Sequence, residues 1–172
     1  PEVKGGWHES GEPSNNLLYD LGPHYLDQAL QLFGEPDEFY KIAHKLRANT
    51  KIIDHFTMML TYKDKVVRLK STMVAAKSDI RYKLHTDIGT FHFYKMGEQE
   101  HQLLAGMKPD DKNYGDNAIY HQYDYQGNKI EKVVVKGNYL MFFTELAQAI
   151  RNGGKPPVTP EEALNVIKLL SK

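Results

Sequence analysis

The stretch NNLLYDLGPHYLDQALQLFGEP, residues 15–36, carries the clearest helical pattern of the sequence. Its apolar side chains recur at helical spacing with polar residues between them, namely Leu21, Tyr25, Leu26, Ala29, Leu30 and Phe33. Gly34 suits the position just past a helix end, and Pro36 prevents continuation. Because Pro23 lacks an N–H, we expect it in the first turn, so the pattern predicts a helix that begins between Leu18 and Leu21.

Apolar-rich stretches with strand character follow, and the connections Lys63-Asp64-Lys65 and Gln126-Gly127-Asn128 are short enough for hairpins. The predicted strands cover residues 38–47, 54–62, 66–75, 80–86, 88–96, 119–125 and 129–136. Residues 97–117 are polar and rich in Gly, Pro and Asp, which predicts a long irregular loop. Two further helices are predicted over residues 139–151 and 160–170.

Strands in hairpins, with helices at both ends of the chain, predict an α+β fold. We expect an open, mostly antiparallel sheet of about six strands with helices on one face. The strands also offer apolar side chains on the other face, where Met59 lies between two threonines. Since an open sheet face is usually polar, this face predicts a homodimer, or a higher oligomer, that packs sheet face to sheet face. A monomer with a less polar open face is the alternative.

Composition excludes several classes of protein. Lys and Arg number 22, as do Asp and Glu, so no bulk positive charge is available to bind nucleic acid. The absence of Cys excludes disulfide scaffolds, thiol nucleophiles and thiolate zinc sites. No apolar run approaches the ~20 residues that a membrane span requires. The 172 residues and 41% hydrophobic content are those of one ordinary globular domain.

Asp20 and His24 form the best local candidate for chemistry. Four residues apart on a helix, they share one face near its N-terminus, where the helix dipole favours a carboxylate. An imidazole can transfer protons at neutral pH. We expect a polar cleft where this helix start faces the irregular arm with Trp7 and His8, joined by Tyr114 from the long loop. A surface pair or a helix cap is the alternative interpretation of the spacing.

Nucleotide-binding and metal-binding patterns do not occur in the sequence. No Gly-x-Gly-x-x-Gly or Gly-x-x-x-x-Gly-Lys-[Ser/Thr] motif lies between a predicted strand and a helix, which argues against a self-contained dinucleotide or P-loop domain. No metal site is predicted, because the strand histidines are scattered rather than spaced as ligands. These are His44, His55, His85 and His92.

Short motifs extend from the first residues to the last helix. They are Gly6-Trp7, residues 16–28, Leu32-Phe33-Gly34-Glu35-Pro36, Gly89-Thr90-Phe91, residues 109–115, Gly137-Asn138-Tyr139 and Pro156-Pro157-Val158-Thr159. Together they resemble the C-terminal domain of the Gfo/Idh/MocA oxidoreductase family over essentially the whole chain. One departure is Asn15-Asn16, where family members often have Gly-Gly before the signature helix.

The resemblance implies a substrate-binding and oligomerisation domain over residues 1–172, whose N-terminal Rossmann domain lies outside this chain. In that family the Rossmann domain binds NAD or NADP, so the cofactor is expected to be bound mainly there. By the same resemblance His24 is the acid/base for the substrate hydroxyl, and Asp20 orients the substrate or His24. The expected substrate contacts are Trp7, His8, Asn16 and Tyr114.

The functional hypothesis is therefore a NAD(P)-dependent dehydrogenase that transfers hydride between nicotinamide and a sugar, polyol or related hydroxy compound. The chain alone is expected to be inactive, because the cofactor site and the family's Glu-Lys-Pro lysine belong to the other domain. The expected partners are a small-molecule substrate, the Rossmann domain and a second copy of the chain, in the cytoplasm, with no nucleic acid or membrane. A non-catalytic ligand-binding or regulatory module of the same fold is the alternative.

Overall fold

A computed structural model describes residues 2–3, 5–12, 14–77, 80–94, 98–115 and 119–172. The chain divides into two compact units. The first unit comprises Pro1–Ala76 and Val158–Lys172, and the second unit comprises Lys77–Pro157. In sequence, the second unit is therefore inserted between the two segments that build the first.

The described residues form helices and strands in alternating groups. In chain order these are α1 (Leu17–Phe33), β1 (Glu38–His44), β2 (His55–Tyr62), β3 (Lys65–Thr72), β4 (Ile80–Thr86), β5 (Gly89–Tyr94), α2 (Gln99–Leu104), β6 (Ile119–Tyr123), β7 (Lys129–Val133), α3 (Tyr139–Asn152) and α4 (Pro160–Leu170). A single 3-10 turn, Trp7–Glu9, precedes α1 in the N-terminal arm.

In the first unit, α1 and α4 cover one face of an antiparallel sheet with the strand order β1-β2-β3. Side-chain alternation along β2 puts Phe56, Met58 and Leu60 on the covered face, where all three are fully buried. Leu26 of α1 and Leu170 of α4 pack into the same core. Because full burial of one such side chain contributes roughly 1.5–3 kcal/mol, this face dominates the stability of the unit.

Helix α1 differs from the prediction at its start. Its N-cap is Asn16, whose Oδ1 accepts hydrogen bonds from the backbone N–H groups of Leu18 (3.0 Å) and Tyr19 (3.2 Å). The helix therefore begins at Leu17, and Pro23 lies in its interior, so the expectation of Pro23 in the first turn is wrong. Pro23 cannot donate to the Tyr19 carbonyl, but Tyr19 is exposed, so solvent can replace that donor.

The opposite face of the first sheet is open within the unit. It presents exposed apolar side chains between threonines and charged residues, with Tyr40 and Ile42 from β1, Met59 from β2 and Val66 from β3. Tyr40 and Ile42 are each 57% exposed. The mixed polar and apolar character predicted for the second sheet face is thus present on this surface.

The second unit contains an antiparallel sheet with the strand order β4-β5-β6-β7. The β6–β7 hairpin predicted from the sequence is confirmed. On one face the ring of Phe93 stacks on Tyr120 with their centroids 4.8 Å apart. On the other face the Tyr94 hydroxyl lies 2.8 Å from His121 Nδ1, and His121 Nε2 lies 3.0 Å from a carboxylate oxygen of Glu131.

The polar stretch predicted as an irregular loop contains the short helix α2, so that prediction is wrong for residues 99–104. Two glutamines of α2 organise the chain that follows it. The backbone N–H of Gly115 donates to Gln102 Oε1 at 2.8 Å, and the N–H of Tyr139 donates to Gln99 Oε1 at 3.0 Å. These side chains satisfy two backbone donors outside the sheet, one in the chain after α2 and one at the first residue of α3.

The predicted α+β class with antiparallel strands is confirmed. The sheet organisation differs from the prediction, because the described strands form a three-stranded and a four-stranded sheet instead of one sheet of about six strands. Strand β1 also ends three residues early, since the N–H groups of Leu46 and Arg47 turn to the Asp54 carboxylate. Within the described residues, no helix has the length and apolar character that a membrane crossing requires.

Candidate functional site

The N-terminus of α1 is fixed on the first sheet. Its N-cap Asn16 is nearly buried, with 8% of its surface exposed. The backbone N–H of Leu17 donates to the carbonyl of Ile53 at 3.0 Å, in the loop before β2. Leu17 and Leu18 then pack into the hydrophobic core. The first turn of α1, which includes Asp20, is consequently held firmly on the sheet.

A cavity of about 180 Å³ opens at this helix start, and we call it the Asp20 cavity. Its lining combines an indole, small polar side chains and a carboxylate, from Trp7, Ser14, Asn15, Asn16, Leu17, Tyr19, Asp20 and Met73. Three of the predicted site residues, Trp7, Asn16 and Asp20, are thus brought together. An aromatic surface beside convergent polar groups suits a small molecule that carries both hydroxyl and C–H groups.

His24 lies on the same side of α1 as Asp20, about 6 Å further along the helix axis at ~1.5 Å per residue. Both residues are exposed. His24 is not part of the lining of the Asp20 cavity. Among the described residues, neither the Asp20 carboxylate nor the His24 imidazole makes a hydrogen bond or an ion pair. Both groups are therefore available to a ligand bound along this side of the helix.

The two other predicted site residues have different positions. The backbone of His8 belongs to the Trp7–Glu9 turn, but its side chain is outside the described part of the chain. Tyr114 belongs to the second unit, where 6% of its surface is exposed. Substrate contact by His8 and by Tyr114 stays a prediction.

A buried ionic cluster joins the N-terminal arm to the first sheet. The Arg47 side chain is 4% exposed, and its Nε donates to Asp54 Oδ2 at 2.9 Å while a terminal nitrogen donates to Glu9 Oε1 at 2.6 Å. The other terminal nitrogen donates to the Glu2 carbonyl at 3.2 Å. The sequence analysis included Arg47 in the predicted strand 38–47 and missed this role, because Asp54 and Glu9 become its partners only in the folded chain.

Asp54 is ionised in this cluster despite being fully buried. Burial alone raises the pKa of its carboxyl, but hydrogen bonds from the Leu46 and Arg47 N–H groups and from the Arg47 guanidinium more than compensate, so the pKa lies below its usual value. The carboxylate charge opposes that of Arg47, whose own pKa is raised by Asp54 and Glu9 although burial lowers it. The Arg47–Asp54 pair therefore stays charged across the neutral range.

A second, larger cavity is lined largely by residues of the N-terminal arm. Its volume is about 390 Å³, and it is lined by Val3, Gly5, Gly6, Trp7, Glu9, Ser10, Asn49 and Lys51. Trp7 is the residue that lines both this cavity and the Asp20 cavity. Trp7 consequently borders both spaces.

The strand histidines occupy both units and do not converge on one point. His55 Nδ1 and His92 Nε2 are buried without a hydrogen-bond partner in the described residues. Desolvation, together with the nearby charges of Lys83, His85 and His121, lowers the pKa of His92 below its usual value. Over the same described ranges, no group of three His, Asp or Glu side chains is placed to hold a metal ion.

Comparison with known proteins identifies the family. A family model described as "Oxidoreductase family, C-terminal alpha/beta domain" matches residues 1–171. The chain is a C-terminal domain of the Gfo/Idh/MocA oxidoreductase family. The resemblance inferred from the sequence motifs is confirmed, and the match extends over both compact units.

Relatives within the Gfo/Idh/MocA family are about twice as long as this chain. The chain is 33% identical to scyllo-inositol 2-dehydrogenase (NADP(+)) IolW of Bacillus subtilis (strain 168), over 99% of its own length and 49% of the relative's. It is 30% identical to an uncharacterized oxidoreductase, YdgJ, of Escherichia coli (strain K12), over 99% of its length and 50% of that protein. The solved yvaA structure from Bacillus subtilis superposes with a TM-score of 0.85 at 31% identity, over 99% of this chain and 51% of that one.

Proposed function

We propose that this chain is the substrate-binding part of a NAD(P)-dependent dehydrogenase that acts on a sugar, polyol or related hydroxy compound. The observation that carries the proposal is the pair of exposed, unengaged groups on α1, Asp20 and His24, next to a cavity lined by Trp7 and Asn16. A cytoplasmic location belongs to the same proposal. The named relative that acts on scyllo-inositol supports the choice of a polyol as substrate class.

In the oxidation direction, His24 accepts the proton of the reacting hydroxyl group. The C–H bond on the same carbon breaks, and its electron pair leaves with the hydrogen as hydride, so the alcohol becomes a ketone and one proton remains on the imidazole. A bound nicotinamide supplies the acceptor for that hydride. Asp20 accepts a hydrogen bond from a substrate hydroxyl or from the His24 N–H and so orients the reacting group.

The Asp20 cavity supports recognition of a polyhydroxylated ring. Asp20 and the carboxamides of Asn15 and Asn16 line it and offer polar groups to hydroxyls, while the face of Trp7 suits the C–H face of a ring. Asn16 already accepts two backbone hydrogen bonds through Oδ1. Asn16 therefore both caps α1 and lines the cavity.

The dinucleotide itself is proposed to bind mainly to the part of the longer protein outside this chain. The sequence has no Gly-rich turn between a strand and a helix of the kind that holds a pyrophosphate. Since the chain spans about half the length of the relatives it matches, a separate cofactor domain fits the remaining length. On this proposal the chain alone is inactive.

The test of this function uses the full-length enzyme. A panel of polyols and sugars that includes scyllo-inositol is assayed with NAD⁺ and NADP⁺, and His24→Ala is compared with the wild type. We expect the variant to lower kcat by ~10²- to 10⁴-fold, the usual contribution of a general acid or base. The control is His101→Ala, an exposed histidine of α2 whose loss leaves the rate unchanged. An unchanged rate in His24→Ala rejects the proposed role.

We also propose that two copies of the chain associate through the open face of the first sheet. Exposed Tyr40, Ile42 and Val66 on that face support this proposal, because their burial in an interface is favourable. Sedimentation equilibrium at micromolar concentration is expected to give a mass near twice 19.8 kDa. Ile42→Asp is expected to shift the mass to the monomer, whereas Leu32→Asp, an exposed site on α1, is not. A monomer mass for the wild type defeats the proposal.

A further inference from the structure

Arg47 connects two parts of the first unit that differ in how firmly they are held. On the sheet side it binds Asp54, which is fully buried and accepts additional hydrogen bonds from the N–H groups of Leu46 (2.7 Å) and Arg47 itself (3.0 Å). On the arm side it binds Glu9 at 2.6 Å and the Glu2 carbonyl at 3.2 Å. The guanidinium is thus a bridge from a fixed point of the sheet to the arm.

Polar contacts within the N-terminal segment also hold the Trp7–Glu9 turn. Glu9 uses its second oxygen, Oε2, to accept from the Gly5 N–H at 2.9 Å, which closes the segment that contains Trp7. The Asn15 amide nitrogen donates to the Trp7 carbonyl at 3.2 Å. Trp7 is 69% exposed, so burial of its ring does little to hold it in place. Its position therefore depends on the polar attachments of the turn.

A gain in folding stability does not readily explain why the chain contains such a buried ionic cluster. Burying Arg47 with Asp54 and Glu9 carries a desolvation penalty that its Coulomb attraction repays only in part, and apolar residues of similar volume are often as stabilising. A buried ionic group is better suited to fixing a particular geometry. The geometry fixed here is that of Trp7, the shared wall of the two cavities.

We propose that Arg47 is a positioning residue for the candidate site, because it holds the Trp7–Glu9 turn so that Trp7 closes one side of the Asp20 cavity. Its consequence for catalysis rests on the proposed function. Its structural part does not, since the position and mobility of Trp7 can be measured without any substrate.

A lysine at position 47 cannot make the three contacts that connect the sheet to the N-terminal arm. Arg47 uses three different nitrogens toward three partners, in the fixed fork of a planar guanidinium. A lysine ammonium is a single point and cannot reach Asp54, Glu9 and the Glu2 carbonyl together. Arg47→Lys therefore keeps the charge while it breaks the connection, which separates positioning from electrostatics.

The structural test uses the single tryptophan of the chain as its probe. Time-resolved fluorescence anisotropy of the 172-residue chain is recorded for the wild type, Arg47→Lys, Glu9→Ala and the control Arg151→Lys, an exposed arginine of α3. We expect the wild type and the control to lose anisotropy mainly through overall tumbling. In Arg47→Lys and Glu9→Ala, a fast local component should at least double in amplitude.

Glu9→Ala is included in case Arg47→Lys fails to fold. This variant releases the arm from Arg47 but leaves the buried Arg47–Asp54 pair in place. Far-UV circular dichroism confirms that each variant is folded. If Glu9→Ala is folded and its anisotropy decay equals that of the wild type, Trp7 is not held through Arg47 and the proposal is overturned.

The kinetic test uses the full-length enzyme with scyllo-inositol and NADP⁺. Arg47→Lys should raise the KM for the polyol about tenfold, with a smaller change in kcat and none in the KM for the cofactor. Equal substrate constants in the variant and the wild type overturn the link from Arg47 to the site. If the enzyme oxidises no hydroxy compound at all, the proposed function fails, and the anisotropy result alone decides whether Arg47 positions Trp7.

Discussion

The two units of this chain bury their apolar side chains to very different degrees. In the first unit, leucines of both helices surround Phe56, Met58 and Leu60, which are completely buried. In the second unit, Tyr114 is the one apolar or aromatic residue among the described residues with less than a tenth of its surface exposed. The sheet of the second unit has aromatic rings on both faces, and most of them are only half-buried.

This difference indicates how each unit is stabilised. Burial of apolar surface is the main force that offsets the conformational entropy lost on folding, and the first unit has most of it. The second unit depends to a larger extent on ladder hydrogen bonds, ring pairs and the side-chain bonds of α2. Asp20, His24, Trp7 and Asn16 all belong to the first unit, so the candidate catalytic groups lie on the more firmly packed scaffold.

The largest effect is expected when a phenylalanine ring is removed from the first unit, and removal of a phenylalanine ring from the second unit provides the comparison. Phe56→Ala leaves a cavity in the core of the first unit and should lower the free energy of unfolding by about 3–5 kcal/mol. Phe93→Ala removes a half-buried ring in the second unit and should lower it by about 1 kcal/mol. Urea unfolding followed by circular dichroism measures both. Equal losses contradict the inferred difference between the units.

A backbone contact in the second unit provides the next test. Gly89 has a φ of +133°, and a Cβ at this position would lie 2.2 Å from the Tyr123 carbonyl oxygen. Gly89→Ala should therefore destabilise the β5–β6 pairing by about 2–4 kcal/mol. Gly127→Ala is the matched control, since its φ is also positive (+87°) but a Cβ meets open space. Hydrogen exchange should show lost protection in the second unit only.

Acidification should affect the two units in different pH ranges. The pKa of His92 is lowered in the folded chain, so the unfolded state binds more protons, and the second unit loses stability as the pH falls below about 6.5. The pKa of Asp54 is also lowered, but the stability that it contributes is lost only as the pH falls below about 3.9. Urea unfolding between pH 8 and 5 should show the first effect in the wild type and a smaller one in His92→Gln.

Smaller effects than that of Phe56→Ala are expected at the helix caps, where both units use asparagine. Asn16 is nearly buried and accepts two backbone hydrogen bonds, whereas Asn138 is exposed and accepts one, from Leu140. Asn16→Ala should lower the free energy of unfolding by about 2 kcal/mol and Asn138→Ala by about 0.5 kcal/mol. Thermal unfolding of both variants gives the ratio. A larger loss for Asn138→Ala speaks against the tighter packing of the first unit.

Local sequence signals predicted most of the elements. The apolar periodicity of α1, the Thr159-Pro160 start of α4 and the Gln126-Gly127-Asn128 turn each act over a few residues, so one sequence contains them in full. Helix α2 escaped prediction because its stability comes from Gln99 and Gln102 bonding to distant backbone groups. The division into two sheets was also missed, because it depends on which consecutive strands pair, and the described strands β3 and β4 belong to different sheets.

The candidate site also contains some residues that local sequence signals predict and others that they do not. Asp20 and His24 could be predicted, since their spacing on one helix is a local property and the family motif contains both. Arg47 could not, because Glu9 and Asp54 become its partners only when the arm folds onto the sheet. The role of Asn15, which donates to the Trp7 carbonyl, also appears only in the structure.

The insertion of the second unit between β3 and α4 determines the order in which the chain can complete its folding. The core around Phe56 needs Leu169 and Leu170, which follow the entire second unit in the sequence. During synthesis the ribosome produces every strand before it produces α4. The first unit, although the better packed, is consequently the last to be finished, and its apolar sheet face awaits a helix from the far end of the chain.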